Sequence, residues 1–398
     1  MRAGWTLNAV HDLAFLKRGK SRHRPRNEPS LYGGEYPFVQ TADIHNSDLY
    51  VTSYSQTYNE KGLEQSKLWE PDTICITIAG ENTGDCAILG IRACFPDSII
   101  GVIADPSKAD TIFLKYAIDG LRLQIRNITR GATQDNLSVT KFSSFRFPTP
   151  PVEVQRRIGT ILRNYGDLID NNRRRITLLE ETARQRYKEW FVRLRFPGYE
   201  HAKIDDGIPE GWQHDQLNNH ISFERGVEPG SANYLSKPGP GLIPFLRVGD
   251  LGGRPSGIFI DPEFSDGKVL NMEDIVITLD GTVGLVRLGL EGAYSSGIRR
   301  VVRTDNCSFG WAFIYELLQS DDIQAIIQAH ARGTTIKHAG AAIEAMKFLR
   351  PAGTLLGYFE DQVAPMLRQI IQLLKLNSSL AAARKLILPR LMSGEIVA

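Results

Sequence analysis

An internal repeat constrains this chain more than any single motif. Aligned with itself at an offset of about 205 residues, the sequence matches in order along most of its length. Gly4-Trp5 returns as Gly211-Trp212, and each opens an alternating, strand-like stretch ending in Arg18-Gly19 or Arg225-Gly226. Tyr36-Pro37-Phe38-Val39 and Ala42-Asp43-Ile44 answer Ile243-Pro244-Phe245-Leu246 and Gly249-Asp250-Leu251. The β-rich runs 72–78 and 274–279 each lead into a glycine turn, Gly80 to Gly84 and Gly281 to Gly284. Arg130-Gly131-Ala132-Thr133 then matches Arg332-Gly333-Thr334-Thr335. Fixed-period self-similarity signals a duplicated unit, so the chain is expected to build one α/β body twice.

Beyond the prolines at 148–151 and at 351 the hydrophobic period changes. Ile158, Leu162, Tyr165, Ile169, Asn172, Ile176, Leu179, Ala183, Arg186 and Trp190 advance by fours and threes. Leu356, Phe359, Val363, Met366, Ile370, Leu373, Asn377 and Leu380 do the same. That is a heptad seam, and at 1.5 Å per residue each helix would be on the order of 50–65 Å long. Asn172 and Asn377 fall at equivalent seam places, where a polar residue costs stability but fixes register. The positions expected to pair the helices are Ile158, Leu162, Tyr165, Ile169 and Asn172 with Val363, Ile370, Leu373, Asn377 and Leu380. Pro365 lacks an amide donor, so the second helix is expected to kink or begin there. The fold class is therefore α+β: two globular α/β bodies in pseudo-repeat, separated by two long helices packed as an antiparallel coiled coil. Helices packing only on their own bodies would show the same apolar stripes.

With 398 residues, 47 Lys+Arg and 45 Asp+Glu, the chain has room for two or three domains and no global charge bias. No apolar run is long enough for a membrane span or a secretory signal, which leads us to expect a cytoplasmic protein. Cys75, Cys86, Cys94 and Cys307 form no C-x-x-C pair and read as small core residues.

Catalytic motifs are missing from the sequence. Gly19-Lys20-Ser21 ends like a Walker A loop, but Ala14 stands where the leading glycine belongs. The glycine turns lie between strands, so they read as hairpins rather than phosphate cradles. There is no H-E-x-x-H and no G-x-S-x-G. Asp266-Gly267-Lys268, with Asp250 or Asp261, has the form of a metal-dependent nuclease site, though its surroundings read as a turn. We therefore expect no catalytic residue, no bound metal and no cofactor in this chain.

Charge placement points to nucleic acid. Residues 17–26 carry Lys17, Arg18, Lys20, Arg22, Arg24 and Arg26 without a carboxylate, a density suited to phosphate neutralisation on a loop. A solvated flexible loop would have the same composition. The matched loops add Arg130, Thr133, Gln134 and Asn136, and Arg332, Thr335, Lys337 and His338, types that bond base edges and phosphates or simply cap a loop. Arg225 repeats Arg18. Arg156, Arg157, Arg163, Arg173, Arg174 and Arg175 also make the first helix basic.

These features converge on a family. Pro150-Pro151-Val152-Glu153-Val154-Gln155-Arg156-Arg157-Ile158-Gly159-Thr160-Ile161-Leu162 resembles the P-P-x-x-E-Q-R-x-I-x-x-I-L stretch of type I restriction-modification specificity (S) subunits. Residues 167–174, Leu178-Leu179-Glu180 and Trp190-Phe191-Val192 resemble the remainder of the family's central helix. Leu386-Ile387-Leu388-Pro389-Arg390-Leu391-Met392-Ser393-Gly394-Glu395-Ile396 resembles the C-terminal L-L-P-x-L-L-S-G-E-I. Val154 replaces the usual Glu before Gln155, and Arg350-Pro351-Ala352-Gly353 lacks the paired prolines. The resemblance implies target recognition domains at 1–150 and 209–351, a central helix at 151–195, a linker at 196–208 and a C-terminal helix at 352–398. It further implies a bipartite double-stranded DNA target, with the helices acting as a ruler for its spacer. Two methyltransferase subunits would bind S-adenosylmethionine and flip the adenine, and a motor-nuclease subunit would use ATP and magnesium. A stand-alone nuclease built on Asp266 and Lys268, and a helical scaffold without nucleic acid, are the alternatives.

Overall fold

A computed structural model describes residues 4–23, 25, 27–80, 82–130, 137–253, 256–334 and 336–396, with backbone alone at 128–130. The chain divides into two compact units, Met1–Asp170 with Ser379–Ala398, and Asn171–Ser378. Among the described residues the first unit holds a five-stranded sheet in the order Ala14–Arg18, Ile99–Ala104, Ile74–Thr77, Cys86–Leu89, Tyr50–Val51. A second, four-stranded sheet runs Gln56–Tyr58, Tyr32–Phe38, Ala93–Cys94, Leu68–Trp69. Among the described residues the second unit repeats the first order without its fifth strand, as Ile221–Arg225, Ile298–Arg303, Val276–Thr278, Val286–Arg287, and the second order in full, as Phe259–Ile260, Ile243–Leu246, Gly292–Tyr294, Val269–Leu270. Each body is closed by its own ends: Thr6–Ala9 pairs antiparallel with Arg146–Thr149, and Gln213–Gln216 with Lys347–Arg350.

The repeated residues repeat because their atoms have the same work. At Gly19 a Cβ would lie 2.2 Å from the Pro96 carbonyl, and at Gly226 2.2 Å from that of Tyr294, so only glycine lets the strand end pass. Thr77 Oγ1 accepts from Asp85 N at 3.1 Å while Gly84 N donates to Thr77 O at 2.9 Å. Thr278 Oγ1 accepts from Leu285 N at 2.9 Å while Gly284 N donates to Thr278 O at 2.8 Å. Both glycine turns are thus hairpins, connecting Ile74–Thr77 to Cys86–Leu89 and Val276–Thr278 to Val286–Arg287. The four cysteines are free and buried, and burial raises the Cys75, Cys86 and Cys94 thiols, which keeps them protonated.

The first long helix spans Val152–Tyr187 and ends in a π turn, Lys188–Val192. The second spans Gly353–Met392 and runs through Pro365 without interruption, so the expected start at that proline is incorrect. Pro365 is exposed, and its cost of about 3 kcal/mol is outweighed because Val363, Ala364 and Leu367 beside it are all buried. Within the second unit the two helices run antiparallel: Asn172 Nδ2 donates to Asn377 Oδ1 at 2.9 Å, and Tyr187 and Trp190 meet Phe359. Val363, Ile370 and Leu373 are buried there. Leu367 and Ile371 are buried too, so the stripe is wider than a strict heptad seam. Within the first unit Ile158 and Leu162 share a core with Leu391, Ile387 and Leu388, and Ile169 is buried. Tyr165, Asn377 and Leu380 are half-buried. Asp48 takes a bidentate grip on Arg384 at 2.7 and 3.0 Å, fixing the last helical turns to the first body.

The helix-to-body joints of the two units differ in an instructive way. In the first, Asp110 Oδ1 accepts from Ile112 N and Phe113 N at 3.0 and 2.9 Å, and a Cβ on Gly159 of the long helix would lie 2.2 Å from it. In the second, Glu360 on the long helix accepts from Ala312 N at 3.2 Å and Phe313 N at 3.4 Å, and a Cβ on Gly310 would sit 2.0 Å from its Cδ. The capping carboxylate and the glycine that makes room for it have changed places. Gln155, wholly buried, completes the first joint by accepting from Asp110 N and donating to the Lys108 and Pro150 carbonyls.

One buried acid is compensated only in part. Glu316 is pushed up to about 7, chiefly by burial, with Arg184 opposing and Glu180 adding to the rise, and its Oε2 has no partner. The folded value exceeds the unfolded one near 4.5, so the folded chain binds the proton more tightly. The stability this gives is complete below about pH 4.5 and is lost as pH rises through about 7, a swing on the order of 3 kcal/mol. We expect Glu316→Gln to raise Tm at pH 8 by several degrees with little change at pH 4.5. Thermal unfolding across that range checks it, and equal shifts at both pH values would contradict the assignment.

Candidate nucleic-acid interface

The basic segment of the first unit is anchored, not loose. Lys17 and Arg18 do not lie on a loop: they end the strand Ala14–Arg18, opposite Gly101 and Ile100, and are exposed. Lys20 N donates to Phe95 O at 3.0 Å and its carbonyl accepts from Ser66 Oγ at 2.7 Å. Gln65 Oε1 accepts from Arg22 N and His23 N at 2.6 and 3.0 Å. Charges are therefore displayed from a backbone whose polar groups are bonded, which lowers the ordering entropy of a phosphate contact. Lys67 stands 3.6 Å over the Trp69 ring, and its ammonium is lowered first by burial and then by the Lys17 charge. Gly19 and Ser21 are buried against this frame and precede no long helix, which removes the Walker-like reading. Arg24, Arg26, Thr133, Gln134, Asn136 and Thr335 lie outside the described residues, and of Arg130 only the backbone, at the end of the helix Arg122–Arg130, is described.

That helix supplies residues that sequence reasoning missed. The buried Asp85 carboxylate, just after the glycine turn, is bonded by Arg122, by Arg126 Nη2 at 3.4 Å and by His45 Nδ1 at 2.5 Å. The spacing of four between Arg122 and Arg126 places these two arginines on one helical face, and that was the signal available.

In the second unit a cleft of about 590 Å3 gathers two of the expected residues, Arg225 and His338, with Arg247, Tyr234, Asp250 and Asp280. The loop from Arg332 to His338 is tied at its base, where Arg332 N and His338 N donate to each other's carbonyls at 3.0 and 2.8 Å. It is docked on the hairpin through Gly281 N to Lys337 O at 2.8 Å. Gly333, at φ 118°, would drive a Cβ to 2.1 Å from Ile336 O, so glycine is required there. Arg332 and Lys337 are exposed on the same loop. At the floor, Asp280 accepts from His338 Nδ1 at 2.7 Å and from Arg299 Nη2 at 3.2 Å. The Arg299 guanidinium is lowered mainly by burial, while Asp280 opposes and Arg225 adds to the fall. Arg247, Asp280 and Arg299 have no sequence motif of their own, because Asp280 becomes a hub only when hairpin and loop meet.

The nuclease alternative finds no assembled site. Asp266 is exposed on a turn at φ 52°, with Lys268 Nζ 3.8 Å away, while Asp250 accepts from Arg247 N and Asp261 from Glu263 N. Among the described residues no group of three His, Cys, Asp or Glu could hold a metal ion, and no helix is long and apolar enough to cross a membrane.

Residues 3–181 match the model of the type I restriction modification DNA specificity domain. A putative type I restriction enzyme MjaX specificity subunit of Methanocaldococcus jannaschii is 30% identical over 302 residues, covering 71% of this chain and 68% of that protein. The chain belongs to the type I restriction enzyme specificity subunits. A second member, the MjaIX specificity subunit of the same organism, is 23% identical over 421 residues, 98% of this chain and 93% of its own length. The fold agrees as well: the crystal structure of the M. genitalium S subunit superposes with a TM-score of 0.61 at 17% identity, over 97% of this chain and 96% of that one. For a specificity subunit, two copies of one frame bearing different side chains is a fitting plan.

Proposed function

We propose that this subunit binds duplex DNA at a split target, each body reading one part, and performs no chemistry itself. The observation that carries this is the repeated sheet order, four strands of one sheet and all four of the other, in which the same frame presents Arg18 and Arg225 at matched strand ends but surrounds them with different residues. Identical cations suit phosphates, which carry no sequence information, and differing neighbours suit two different base sequences. Domains at 1–150 and 209–351 would be the readers, the helices at 151–195 and 352–398 the ruler, and 196–208 the linker between the halves. Two methyltransferase subunits would dock on the chain and supply the cofactor and the flipped-base chemistry, and a motor-nuclease subunit would add cleavage.

The Asn172–Asn377 bond supports a fixed helix register, and hence a fixed spacer. Inserting one heptad into each helix, on the same side of that pair, should lengthen the spacer by about three base pairs. The insert adds about 10 Å of helix, and DNA rises about 3.4 Å per pair. Both half-sequences should survive, as read from the methylation pattern of the assembled enzyme. An unchanged spacer, or a lost half-sequence, would count against the ruler.

A further inference from the structure

The two bodies share one more frame element, and there their side chains differ. Before the short helix Thr41–His45, Gln40 N donates to Asp43 Oδ2 at 2.8 Å, and Asp43 N returns a bond to Gln40 O at 3.1 Å. Before Val248–Leu251, Arg247 N donates to Asp250 Oδ2 at 2.6 Å, and Asp250 N returns a bond to Arg247 O at 2.9 Å. The same turn therefore fixes the backbone of residue 40 in one body and residue 247 in the other.

Around Arg247 the cleft is prepared for a planar, acceptor-rich partner. The guanidinium lies 6.0 Å from the ring centre of Tyr234, which itself packs on Phe245. The three carboxylates lining the cleft are already engaged: Glu228 by Ser296 N at 3.2 Å and by Ser296 Oγ, Asp250 by Arg247 N and by Ser256 Oγ at 3.0 Å, Asp280 by Arg299 and His338. Arg299 is nearly buried in its ion pair with Asp280 and cannot reach outward, whereas Arg247 is exposed. Gln40 is half-buried, with its amide Nε2 bonded to Gln56 Oε1 at 2.7 Å.

We propose that residues 40 and 247 are matched base-reading positions, with Arg247 reading a guanine in one half of the target and Gln40 an adenine in the other. A guanidinium spans guanine O6 and N7 with two parallel bonds, and a side-chain amide spans adenine N6 and N7 in the same way. A position held by identical backbone bonds but filled by these two side chains is what two readers of different sequences need. Arg18 and Arg225, the same residue in both bodies, do not discriminate. This assignment rests on the split-target reading above.

The test maps methylated bases in cells expressing the full complex with wild-type chain, Arg247→Gln or Gln40→Arg. Arg247→Gln should abolish or switch a guanine preference at one base pair of one half-sequence, a change of about tenfold to a hundredfold, and leave the other half intact. Gln40→Arg should do the reciprocal at one base pair of the other half. Where a variant gives no methylation, binding of its purified complex to duplexes carrying each base at each target position replaces the map. Loss of preference at a single pair supports the assignment, and uniform weakening at all pairs overturns it. Variants that keep both wild-type half-sequences overturn it while leaving the split-target reading standing. A wild-type map without a split motif removes both.

Discussion

Changing Lys17, Arg18 and Arg22 together to alanine is expected to weaken binding of the assembled methyltransferase complex to duplex DNA about a hundredfold at 0.15 M salt. The three cations stand on a stretch whose backbone is held by the sheet and by Gln65, so they are presented together and not averaged over a mobile loop. Each phosphate contact removed lowers the slope of log K against log salt by about 0.9, so the slope should flatten by nearly three units. The recognised sequence should not change, because the lost contacts are to backbone. Titrations at several salt concentrations read both quantities. Weaker binding with an unchanged slope would mean that the segment acts through the fold and not through phosphate.

The second large effect is on stability, at the joint between the second long helix and its body. Glu360→Gly should cost about 2 kcal/mol, since it strips the cap from Ala312 N and Phe313 N and places a glycine inside a helix. Gly310→Asp alone should cost at least as much, because its Cβ would collide with the Glu360 carboxylate and bring a second negative charge beside it. The double variant rebuilds the arrangement that Asp110 and Gly159 make in the first body. It should recover most of the loss, giving a coupling of about 2 kcal/mol or more in denaturant unfolding. Additive losses would show that the two joints are not the same device.

These residues also show where sequence reading stops. The repeat was legible wherever one residue type does the same work in both bodies, as with Gly19 and Gly226 at close backbone passages and Thr77 and Thr278 at the hairpins. The seam was legible because its Asn172 and Asn377 lie at equivalent places, and they bond to each other. The exchange of carboxylate and glycine at the joints was invisible, since matching residue by residue compares Asp110 with Gly310 and Gly159 with Glu360 and finds nothing. A helix start at Pro365 was the wrong alternative because local propensity ignores the apolar side chains beside it, whose burial is set by the rest of the fold. At the candidate interface, the charge run at 17–26 could be read, but the Asp280 hub with Arg299 and His338 joins a hairpin to a loop far along the chain. Spacing alone does not reveal such a meeting.

The central claim is that this subunit alone decides where its partners act, through two separate readers. The most direct measurement is to express the chain with its methyltransferase partner and map methylated bases across the host genome by long-read sequencing, with and without this chain. The account predicts one split motif, two short sequences around a fixed spacer, that disappears when the chain is omitted. Methylation that persists without it, or that follows one short continuous motif, would contradict the account.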